Sequence, residues 1–435
     1  MELSEKIAVL SAAAKYDASC ASSGSGKAGD GFSGGTGGGR RQGASFGAAL
    51  PAGVCHSWTG DGRCVSLLKV LYSNVCRFDC SYCVNRASAD TRRASFTTGE
   101  LITLTCEFYR HNYIEGLFLS SGIFADPDIV MEKLIETARK LRTEAGFGGY
   151  IHLKIIPGSG EKLIRQAGLW ADRLSANIEL PTDKSLRRLA PQKSGKVIFG
   201  AMEEVVAAEK ENGEDRQRSR AFHPGRETPA FAPAGQSTQL IVGVSAENDR
   251  QIIGLSGALY RKFSLRRVYY SAYTPVGVPG SGGIPDSRLP EISGPPLARE
   301  HRLYQADWLL RFYHFSPEEI LEGGSEHLDI QVDPKTAWAL RHPERFPVEL
   351  GRADYEELLR VPGVGATSAR RIIEQRRSRS LSYEGLRRLG VVLKRARYFV
   401  TVAGAAIDRL DDLKRVRRVI ADTDGGGLQL PLFDF

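Results

Sequence analysis

The chain has 435 residues, 25% of them charged, and a formal net charge of +8 at pH 7. This length allows two domains with separate cores, and the apolar content is ordinary for a globular protein. The start of the chain lacks the basic flank and apolar stretch of a signal peptide, and the longest apolar runs are too short to span a bilayer. We therefore expect a cytoplasmic protein with no membrane segment, in a compartment where thiols stay reduced.

The positive charge is concentrated near the C-terminus. Residues 360–420 contain sixteen Lys and Arg against five Asp and Glu, a net charge of +11, so the rest of the chain carries −3 of the total of +8. A basic segment on a nearly neutral body indicates a polyanion partner. A solvated Arg-rich helix face is the alternative explanation.

The N-terminal region, residues 1–53, is predicted to be a short helix followed by a flexible segment. Residues 22–53 are dominated by Gly, Ser and Ala, and they cannot bury enough apolar surface to offset their ordering entropy. The segment lacks the G-x4-G-K-[ST] pattern of a phosphate-binding loop.

The run CRFDCSYC places Cys76, Cys80 and Cys83 in the spacing C-x3-C-x2-C. Three thiolates on one loop can hold three irons of a [4Fe–4S] cluster and leave the fourth iron open for chemistry. A zinc knuckle needs four ligands, and no second pair of Cys or His follows at a suitable distance. A disulfide is disfavoured because nothing marks the chain as secreted. The spacing therefore predicts an open cluster site.

This spacing, with Tyr82 just before the last cysteine, resembles the signature of the radical S-adenosylmethionine (SAM) superfamily. The resemblance implies that the open iron binds the amino and carboxylate groups of SAM. It also implies that one electron from the cluster cleaves SAM to a 5′-deoxyadenosyl radical. The expected cofactors are thus a [4Fe–4S] cluster and SAM, and the expected electron donor is a protein such as flavodoxin or ferredoxin.

Short apolar strands alternate with helical patterns through the middle of the chain. The predicted strands are VSLLKVLYSN, GLFLSS, IHLKIIP, RLSANIELP, TQLIVGVS and RRVYYSAYTP. Thr97 or Thr98 is expected to cap the first helix between them, and Asp126-Pro127 to open the next one. Repeated βα units imply a parallel sheet, and six strands predict an α/β fold with a partial (βα)6 barrel over residues 54–280. The site of such folds lies at the C-terminal ends of the strands, where the cysteine loop falls.

The same resemblance identifies candidate SAM contacts beyond the cysteines. They are Tyr82, Ser120, Ser121, Gly122, Asn177 and Glu179. The aromatic residue matches a position near the adenine, and the Ser-Ser-Gly run ends the second strand, where superfamily members contact the methionine amino group. Asn177 and Glu179 lie in the region where superfamily members bind the ribose or methionyl group of SAM. Sheet packing and turn chemistry are the alternative explanation for these residues.

The remaining cysteines have wide, irregular spacing, which favours buried or free thiols over a second cluster. They are Cys20, Cys55, Cys64 and Cys106. One of them is a candidate hydrogen-atom donor, and the sequence does not choose among them. His56 and His152 are candidate ligands or bases, although a single His is more often a structural hydrogen bonder.

Residues 205–237 are polar and contain several prolines, so we expect a long loop that crosses the site mouth, either as a lid or as a mobile insertion. The Pro- and Gly-rich residues 281–296 are the predicted linker to an all-α domain over residues 297–420. A short helix is expected to begin with Ser316 as its cap and Pro317 in its first turn.

Residues 355–404 resemble a helix-hairpin-helix region, built on YEELLRVPGVGATSARRIIEQRR and a degenerate second half from residue 386. Glycines in the turn permit positive φ, and the exposed amides can bind a nucleic-acid phosphate without reading sequence. A plain helix turn is the alternative. The predicted DNA contacts are Pro362, Gly363, Val364, Gly365, Thr367, Arg370 and Arg371.

The last residues, 421–435, are predicted to be a flexible tail that ends in QLPLFDF. Gln429, Leu430, Leu432 and Phe433 resemble the peptide by which bacterial replication and repair proteins dock on the sliding clamp. A tail that packs back on its own domain is the alternative.

Taken together, the chain resembles a family of DNA modification or repair radical SAM proteins and, more distantly, spore photoproduct lyase. The resemblance includes the segments YDASCASS, HSWTGDGRC, LSSGIF, HLKIIPG, ANIELPTD and DPKTAWALRHPERFPVEL. It implies an enzyme that repairs or modifies a nucleobase or nucleotide in DNA, on a target that is flipped out or unpaired. A radical SAM enzyme that modifies RNA and a non-catalytic iron–sulfur DNA-binding protein remain alternatives.

Overall fold

The computed structural model describes residues 1–14, 54–58, 64–222, 228–275 and 286–425. The chain folds into two compact units, Met1–Ala246 with Leu259–Pro296, and Glu247–Ala258 with Leu297–Phe435. None of the described helices is both long and apolar enough to cross a membrane. The Gly- and Ser-rich segment and the clamp-like peptide lie outside the described residues.

The first unit is built on a seven-stranded sheet whose strands lie in chain order. They are β1 (Val54–Trp58), β2 (Cys64–Leu71), β3 (Gly116–Ser120), β4 (Tyr150–Lys154), β5 (Arg173–Ser175), β6 (Gln236–Val242) and β7 (Arg267–Ala272). The pairing of β1 with β2 is antiparallel, and each later pairing is parallel. The six parallel strands form a curled half-barrel, which confirms the predicted partial (βα)6 barrel. The sequence did not reveal β1, and β5 is shorter than the predicted strand.

The helices around this sheet are α1 (Leu3–Ala14), α2 (Thr98–Arg110), α3 (Pro127–Thr143), α4 (Glu161–Trp170), α5 (Asp183–Leu189), α6 (Gly195–Phe222) and α7 (Asp249–Phe263), the last of which begins in the second unit and ends in the first. Among them, α2 packs on α3, α3 on α4 and α4 on α6. Leu68, Leu117 and Ile151 are adjacent in register across β2, β3 and β4 and are fully buried. Burial of each such side chain contributes about 1.5–3 kcal/mol to stability.

The first two long helices begin as the sequence predicts. Thr97 accepts a hydrogen bond from the amide of Glu100, whose side chain accepts one from the Thr97 amide in return. Asp126 accepts from the amide of Asp128, and Pro127 is the first helical residue of α3. Each cap satisfies amides that have no partner within the helix, which is worth about 1 kcal/mol.

The predicted loop over residues 205–237 is wrong in its first half, because α6 continues to Phe222. The guanidinium of Arg165 on α4 pairs with the carboxylates of Glu204 and Glu211 on α6. The segment is rich in Ala, Glu, Lys and Arg, which favour helix, and its polarity reflects a solvated helix face rather than a loop.

The second unit is mainly helical. Its helices are α8 (Leu297–Phe312), α9 (Pro317–Ile320), α10 (Pro334–Arg341), α11 (Tyr355–Arg360), α12 (Ala366–Gln375), α13 (Tyr383–Arg388), α14 (Leu393–Ala396) and α15 (Leu413–Gly425), with a 3-10 turn at Pro343–Arg345. Ser316 caps α9 as predicted, in a capping box with Glu319.

This unit is not all-α, which corrects the prediction. The strands β8 (Val348–Glu349), β9 (Val400–Val402) and β10 (Ala405–Ala406) form a small sheet in the order β10-β9-β8. Strand β8 pairs with β9 in parallel, and β10 pairs with β9 antiparallel. Strands of two or three residues are too short for an alternating pattern to appear in the sequence.

Two helix pairs in this unit are joined through their turns. Residues 361–365 connect α11 to α12, and residues 389–392 connect α13 to α14. Gly363 has a φ of +82°, and a Cβ atom there would lie 2.5 Å from the carbonyl oxygen of Val392. The Val392 amide donates to the Gly363 carbonyl at 2.8 Å. The close contact of the two turns therefore requires glycine at this position.

Candidate active site

The loop after β2 carries the three cysteines at the C-terminal end of the sheet. Cys80 is buried, Cys76 and Cys83 are half-buried, and all three are free thiols. The amide of Phe78 lies 3.4 Å from Cys76 Sγ, and the amide of Asn85 lies 3.4 Å from Cys83 Sγ, each as a donor. Amide donors at sulfur stabilise the thiolate form, which is the form that binds iron.

A single guanidinium holds the two ends of this loop together. Arg93 donates to the carbonyls of Asn74 at 2.6 Å and Asn85 at 2.9 Å. It also donates to the carbonyls of Arg86 at 2.6 Å and Ala89 at 2.9 Å. Because these carbonyls lie on both sides of the cysteine run, one side chain closes the loop around it.

The end of β3 packs directly against the cysteine loop. The Gly122 amide donates to the Ser73 carbonyl at 2.7 Å, and the Arg77 amide donates to the Ile123 carbonyl at 2.8 Å. A Cβ atom on Gly122 would lie 2.4 Å from the carbonyl oxygen of Val75. Only glycine permits this approach, so the Ser-Ser-Gly run is held against the loop that carries the cysteines.

An open cavity of about 170 Å³ lies between this loop and the strand ends. All of the residues predicted as cluster ligands or SAM contacts line it. They are Cys76, Cys80, Tyr82, Cys83, Ser120, Ser121, Gly122, Asn177 and Glu179. The fold thus brings together groups that lie far apart in the sequence.

The cavity also holds a buried charge cluster that the sequence did not reveal. The carboxylate of Glu179 lies 3.0 Å from the ammonium of Lys193 and 3.7 Å from that of Lys154. All three side chains are largely buried and line the cavity. A lysine at the end of the buried strand pattern IHLKIIP was the available signal for Lys154, whereas nothing near Lys193 in the sequence distinguishes it from a surface lysine.

The electrostatics of the cavity follow from burial. Burial alone lowers the pKa of Lys193, but the Glu179 carboxylate and the Tyr82 hydroxyl, 3.4 Å from the ammonium, hold the pKa well above its usual value. Burial, followed by the nearby Cys80, raises the pKa of Cys83 to about 12. The lysine therefore stays charged, whereas the thiol stays protonated until a metal displaces its proton.

Glu179 reaches the cavity from a strained backbone. Its φ is +62°, in the left-handed region that residues other than glycine rarely adopt. Its amide donates to the Gln239 carbonyl at 2.9 Å, and its carbonyl accepts from the Ile241 amide at 2.7 Å. Such strain costs about 1–3 kcal/mol and is concentrated at functional sites.

One polar atom in the cavity wall lacks a partner within the described part of the chain. The hydroxyl of Ser120 is buried and has no hydrogen bond there. Buried hydroxyls are normally satisfied, so this one is suited to a polar group of a bound molecule. Nearby, the amide of Asn177 donates to the Gln239 side-chain oxygen at 3.2 Å.

The donor set fits an iron–sulfur cluster better than one metal ion. Among the described residues, no three His, Cys, Asp or Glu side chains are grouped closely enough to hold a single ion. A four-iron cluster is larger than one ion, so its cysteine ligands stand further apart. Three soft thiol donors on one loop, with amides aimed at the sulfurs, match that requirement.

The other predicted thiol and imidazole candidates do not line the cavity where they are described. Cys106 is a half-buried free thiol on α2. His152 is buried in the sheet, and its ring contacts Phe118 edge-on at 4.3 Å between centroids. Cys20 lies outside the described residues, and so do the side chains of Cys55, His56 and Cys64.

In the second unit, a buried lysine stabilises the turn between α11 and α12. The ammonium of Lys335 donates to the Val364 carbonyl at 2.6 Å and lies 4.6 Å from the centroid of the Tyr313 ring. Burial lowers the pKa of Lys335 to about 7. Pro362 and Val364 are buried, and the Val364 amide donates to the Val361 carbonyl at 3.1 Å, so the structure does not present these two predicted DNA contacts to a ligand.

The remaining predicted DNA contacts follow the turn into α12. Thr367, Arg370 and Arg371 are exposed on the helix, and Gly365 precedes its first residue. The first amides of a helix have no partner within it and carry partial positive charge.

Residues 70–214, a third of the chain, match the family model described as the Radical SAM superfamily. This range contains the cysteine loop and most of the cavity wall, so the match supports placing the first unit in that superfamily. Members of the superfamily use a [4Fe–4S] cluster and SAM. No curated protein matches the chain.

Several solved structures are similar to the chain at low identity. The FeFe-hydrogenase maturase HydG from Carboxydothermus hydrogenoformans is 16% identical, with a TM-score of 0.40 over 55% of this chain and 49% of that one. Methylornithine synthase (PylB) is 16% identical, with a TM-score of 0.39 over 55% and 60%. A radical SAM methyltransferase from Sphaerobacter thermophilus is 15% identical, with a TM-score of 0.37 over 58% and 68%. The chain thus spans about half the length of the first of these proteins.

Proposed function

We propose that this protein is a radical SAM enzyme that repairs or modifies a nucleobase or nucleotide in DNA. One observation carries the proposal of radical chemistry: three cysteine thiols on one loop share a cavity with a buried charge cluster and with a serine hydroxyl that has no partner among the described residues. When bound there, the cluster and SAM supply a 5′-deoxyadenosyl radical.

The residues of the chain have separable tasks in this proposal. Cys76, Cys80 and Cys83 hold the cluster and leave one iron without a protein ligand. Ser120 offers its buried hydroxyl to a polar group of SAM, and Tyr82 lies beside the last cysteine where an adenine can pack. Ser121, Gly122 and Asn177 are proposed as further SAM contacts, because they line the cavity and match the resemblance.

The charge cluster favours a ligand with an anionic group. Lys154 and Lys193 bring two ammonium groups to a site with little access to water. A carboxylate or phosphate that enters the cavity meets an electrostatic interaction stronger than in bulk water. Glu179, which is fixed by its backbone, keeps the two ammonium groups oriented in the absence of the ligand.

The DNA substrate is proposed from the second unit. The net charge of +11 over residues 360–420, the exposed Arg370 and Arg371, and the turn before α12 support a phosphate-binding surface. A base within a duplex cannot reach a cavity at the ends of barrel strands, so the target must be flipped out or unpaired. Lesions flip more readily than intact bases, which favours repair over modification.

Further partners are proposed from the sequence alone. They are the bacterial sliding clamp, which the terminal peptide would bind, and an electron donor such as flavodoxin or ferredoxin. A cytoplasmic location is proposed with them, because an oxygen-sensitive cluster survives best where thiols stay reduced.

The direct test is anaerobic reconstitution with iron and sulfide, followed by addition of a reductant and SAM. The wild-type protein is expected to release 5′-deoxyadenosine, and incubation with damaged-DNA panels is expected to change the nucleosides detected by mass spectrometry. Cys80→Ala is expected to abolish 5′-deoxyadenosine formation and leave DNA affinity within about twofold, because cluster and DNA surface lie on different residues.

Cys106→Ala is the matched control, since this half-buried thiol lies outside the cavity. It should retain iron and SAM cleavage. A wild-type protein that binds iron but forms no 5′-deoxyadenosine would favour the non-catalytic DNA-binding alternative. Tighter binding of structured RNA than of DNA, in direct competition, would contradict the DNA substrate and leave the radical chemistry in place.

A further inference from the structure

Helix α8 presents two neighbouring aromatic side chains to solvent. Trp308 and Phe312 lie one helical turn apart, with ring centroids 4.3 Å apart and exposed fractions of 39% and 42%. The guanidinium of Arg311 lies 4.6 Å from the centroid of the Phe312 ring and is fixed by the buried carboxylate of Asp307 at 2.8 Å. Large rings that are exposed and held in place are typical of binding surfaces.

This pair is connected to the start of α12 through Tyr313. Tyr313 follows Phe312 directly in the chain, and a Cβ atom on Gly365 would lie 3.3 Å from the Tyr313 hydroxyl. Lys335 packs on the Tyr313 ring and donates to the Val364 carbonyl, which fixes the tyrosine relative to the turn. The exposed rings therefore lie beside the turn that is proposed to bind a phosphate.

The charge of this region selects the kind of ligand. A net charge of +11 over residues 360–420 favours a polyanion, and the exposed Thr367, Arg370 and Arg371 lie on the helix that the turn opens. A paired duplex offers phosphates but keeps its base faces stacked inside. An unpaired strand offers both, and proteins that bind such strands combine a basic surface with aromatic rings on which bases stack.

We propose that Trp308 and Phe312 form a stacking platform for an unpaired base of DNA whose phosphate lies at the turn before α12. The inference rests on the proposed function and deepens it, because it makes the second unit selective for DNA in which pairing is already disrupted. That selectivity would place the enzyme at gaps, bubbles or lesions, where a target base can leave the helix at low cost.

The test compares the affinities of the full chain for a labelled single strand, a duplex with an internal bubble and a fully paired duplex of the same sequence. In Trp308→Ala/Phe312→Ala, the Kd for the single strand and the bubble is expected to rise about tenfold or more, since each lost base stack is worth about 1–3 kcal/mol. The Kd for the paired duplex is expected to change by less than about twofold.

Two variants control for general effects of aromatic loss. Phe222→Ala removes a ring that is 77% exposed on α6 of the first unit and should leave all three affinities unchanged. Trp308→Phe keeps an aromatic face, so it should retain most of the preference for unpaired DNA. Thermal unfolding of each variant shows whether it is folded.

The outcomes separate the two levels of the proposal. Equal weakening on all three DNAs, or a wild-type protein with no preference for unpaired DNA, would overturn the stacking platform and leave the proposed function standing. A wild-type protein that binds none of the DNAs would overturn both. Aromatic-dependent binding of single-stranded RNA alone would contradict the DNA assignment.

Discussion

Arg93 shows how one side chain can organise a reactive loop without entering the cavity. Its guanidinium bonds four carbonyls that lie on both sides of the cysteine run. A planar fork with five N–H donors can satisfy several acceptors at once, whereas an ammonium is a compact point charge. The position of the three thiols therefore depends on a residue ten positions after the last of them.

Replacement of this arginine tests that dependence. Arg93→Lys is expected to lose roughly 2 kcal/mol or more of stability in urea unfolding, because an ammonium cannot reach all four carbonyls. The iron retained after reconstitution should fall in parallel, which iron analysis and the electron paramagnetic resonance signal measure independently of activity.

The neighbouring arginine provides a matched control. Arg92 is 60% exposed in its side chain and pairs with Glu5 at 3.1 Å. Arg92→Lys should change stability by less than about 1 kcal/mol, as for other exposed ion pairs. Full iron retention in Arg93→Lys would show that the loop does not need the guanidinium.

At the scale of elements, the contact between the two turns of the second unit depends on backbone conformation. Gly363 adopts a positive φ and lies so close to Val392 that no side chain fits. The same contact includes the hydrogen bond from the Val392 amide to the Gly363 carbonyl. The helix pairs α11–α12 and α13–α14 are thus held as one body through their turns.

Gly363→Ala is expected to destabilise the protein and to weaken DNA binding. The left-handed conformation alone costs a residue with a side chain about 1–2 kcal/mol, and the overlap with the Val392 carbonyl adds to this. Urea unfolding measures the first effect and fluorescence anisotropy with labelled DNA the second.

Gly404→Ala separates strain from overlap. Gly404 also has a positive φ, +77°, but a Cβ atom there would meet nothing within 4 Å. This control should show only the conformational cost and normal DNA affinity. If the two variants lose equal stability and neither loses affinity, the turn contact has no role in DNA binding.

At the scale of the whole molecule, charge and chemistry are carried by different stretches of the chain. The cavity is built entirely within the first unit, whereas the concentrated positive charge lies in the second. Phosphate contacts act through counterion release, so DNA binding should weaken steeply with salt and depend little on sequence.

The salt dependence tests this division. In Arg370→Ala/Arg371→Ala, DNA affinity should fall uniformly across sequences, and the slope of log K against log salt should decrease by about one for each arginine. SAM cleavage by the reconstituted protein should not change. Arg139→Ala, an exposed arginine on α3, is the control and should leave the slope as it is. An unchanged slope in the double variant would remove α12 from the DNA surface.

Several features could be read from the sequence because they depend on residues close together in the chain. The cysteine spacing, the caps at Thr97 and Asp126 and the period of the six parallel strands are all local patterns, and the fold confirms the caps and the strands. The helical continuation of α6 was missed because a polar composition describes a solvated helix and a loop equally well.

Tertiary structure alone decided which distant groups share a cavity. Lys193 meets Glu179 only because α5 returns the chain to the strand ends, and Tyr313, next to Phe312, meets Gly365 only because the turn before α12 packs beside it. Such contacts depend on how elements pack in three dimensions, and a single sequence contains no period or spacing that encodes them. Local chemistry was therefore predictable from the order of residues, whereas the charge of the cavity and the position of the exposed rings were set by packing.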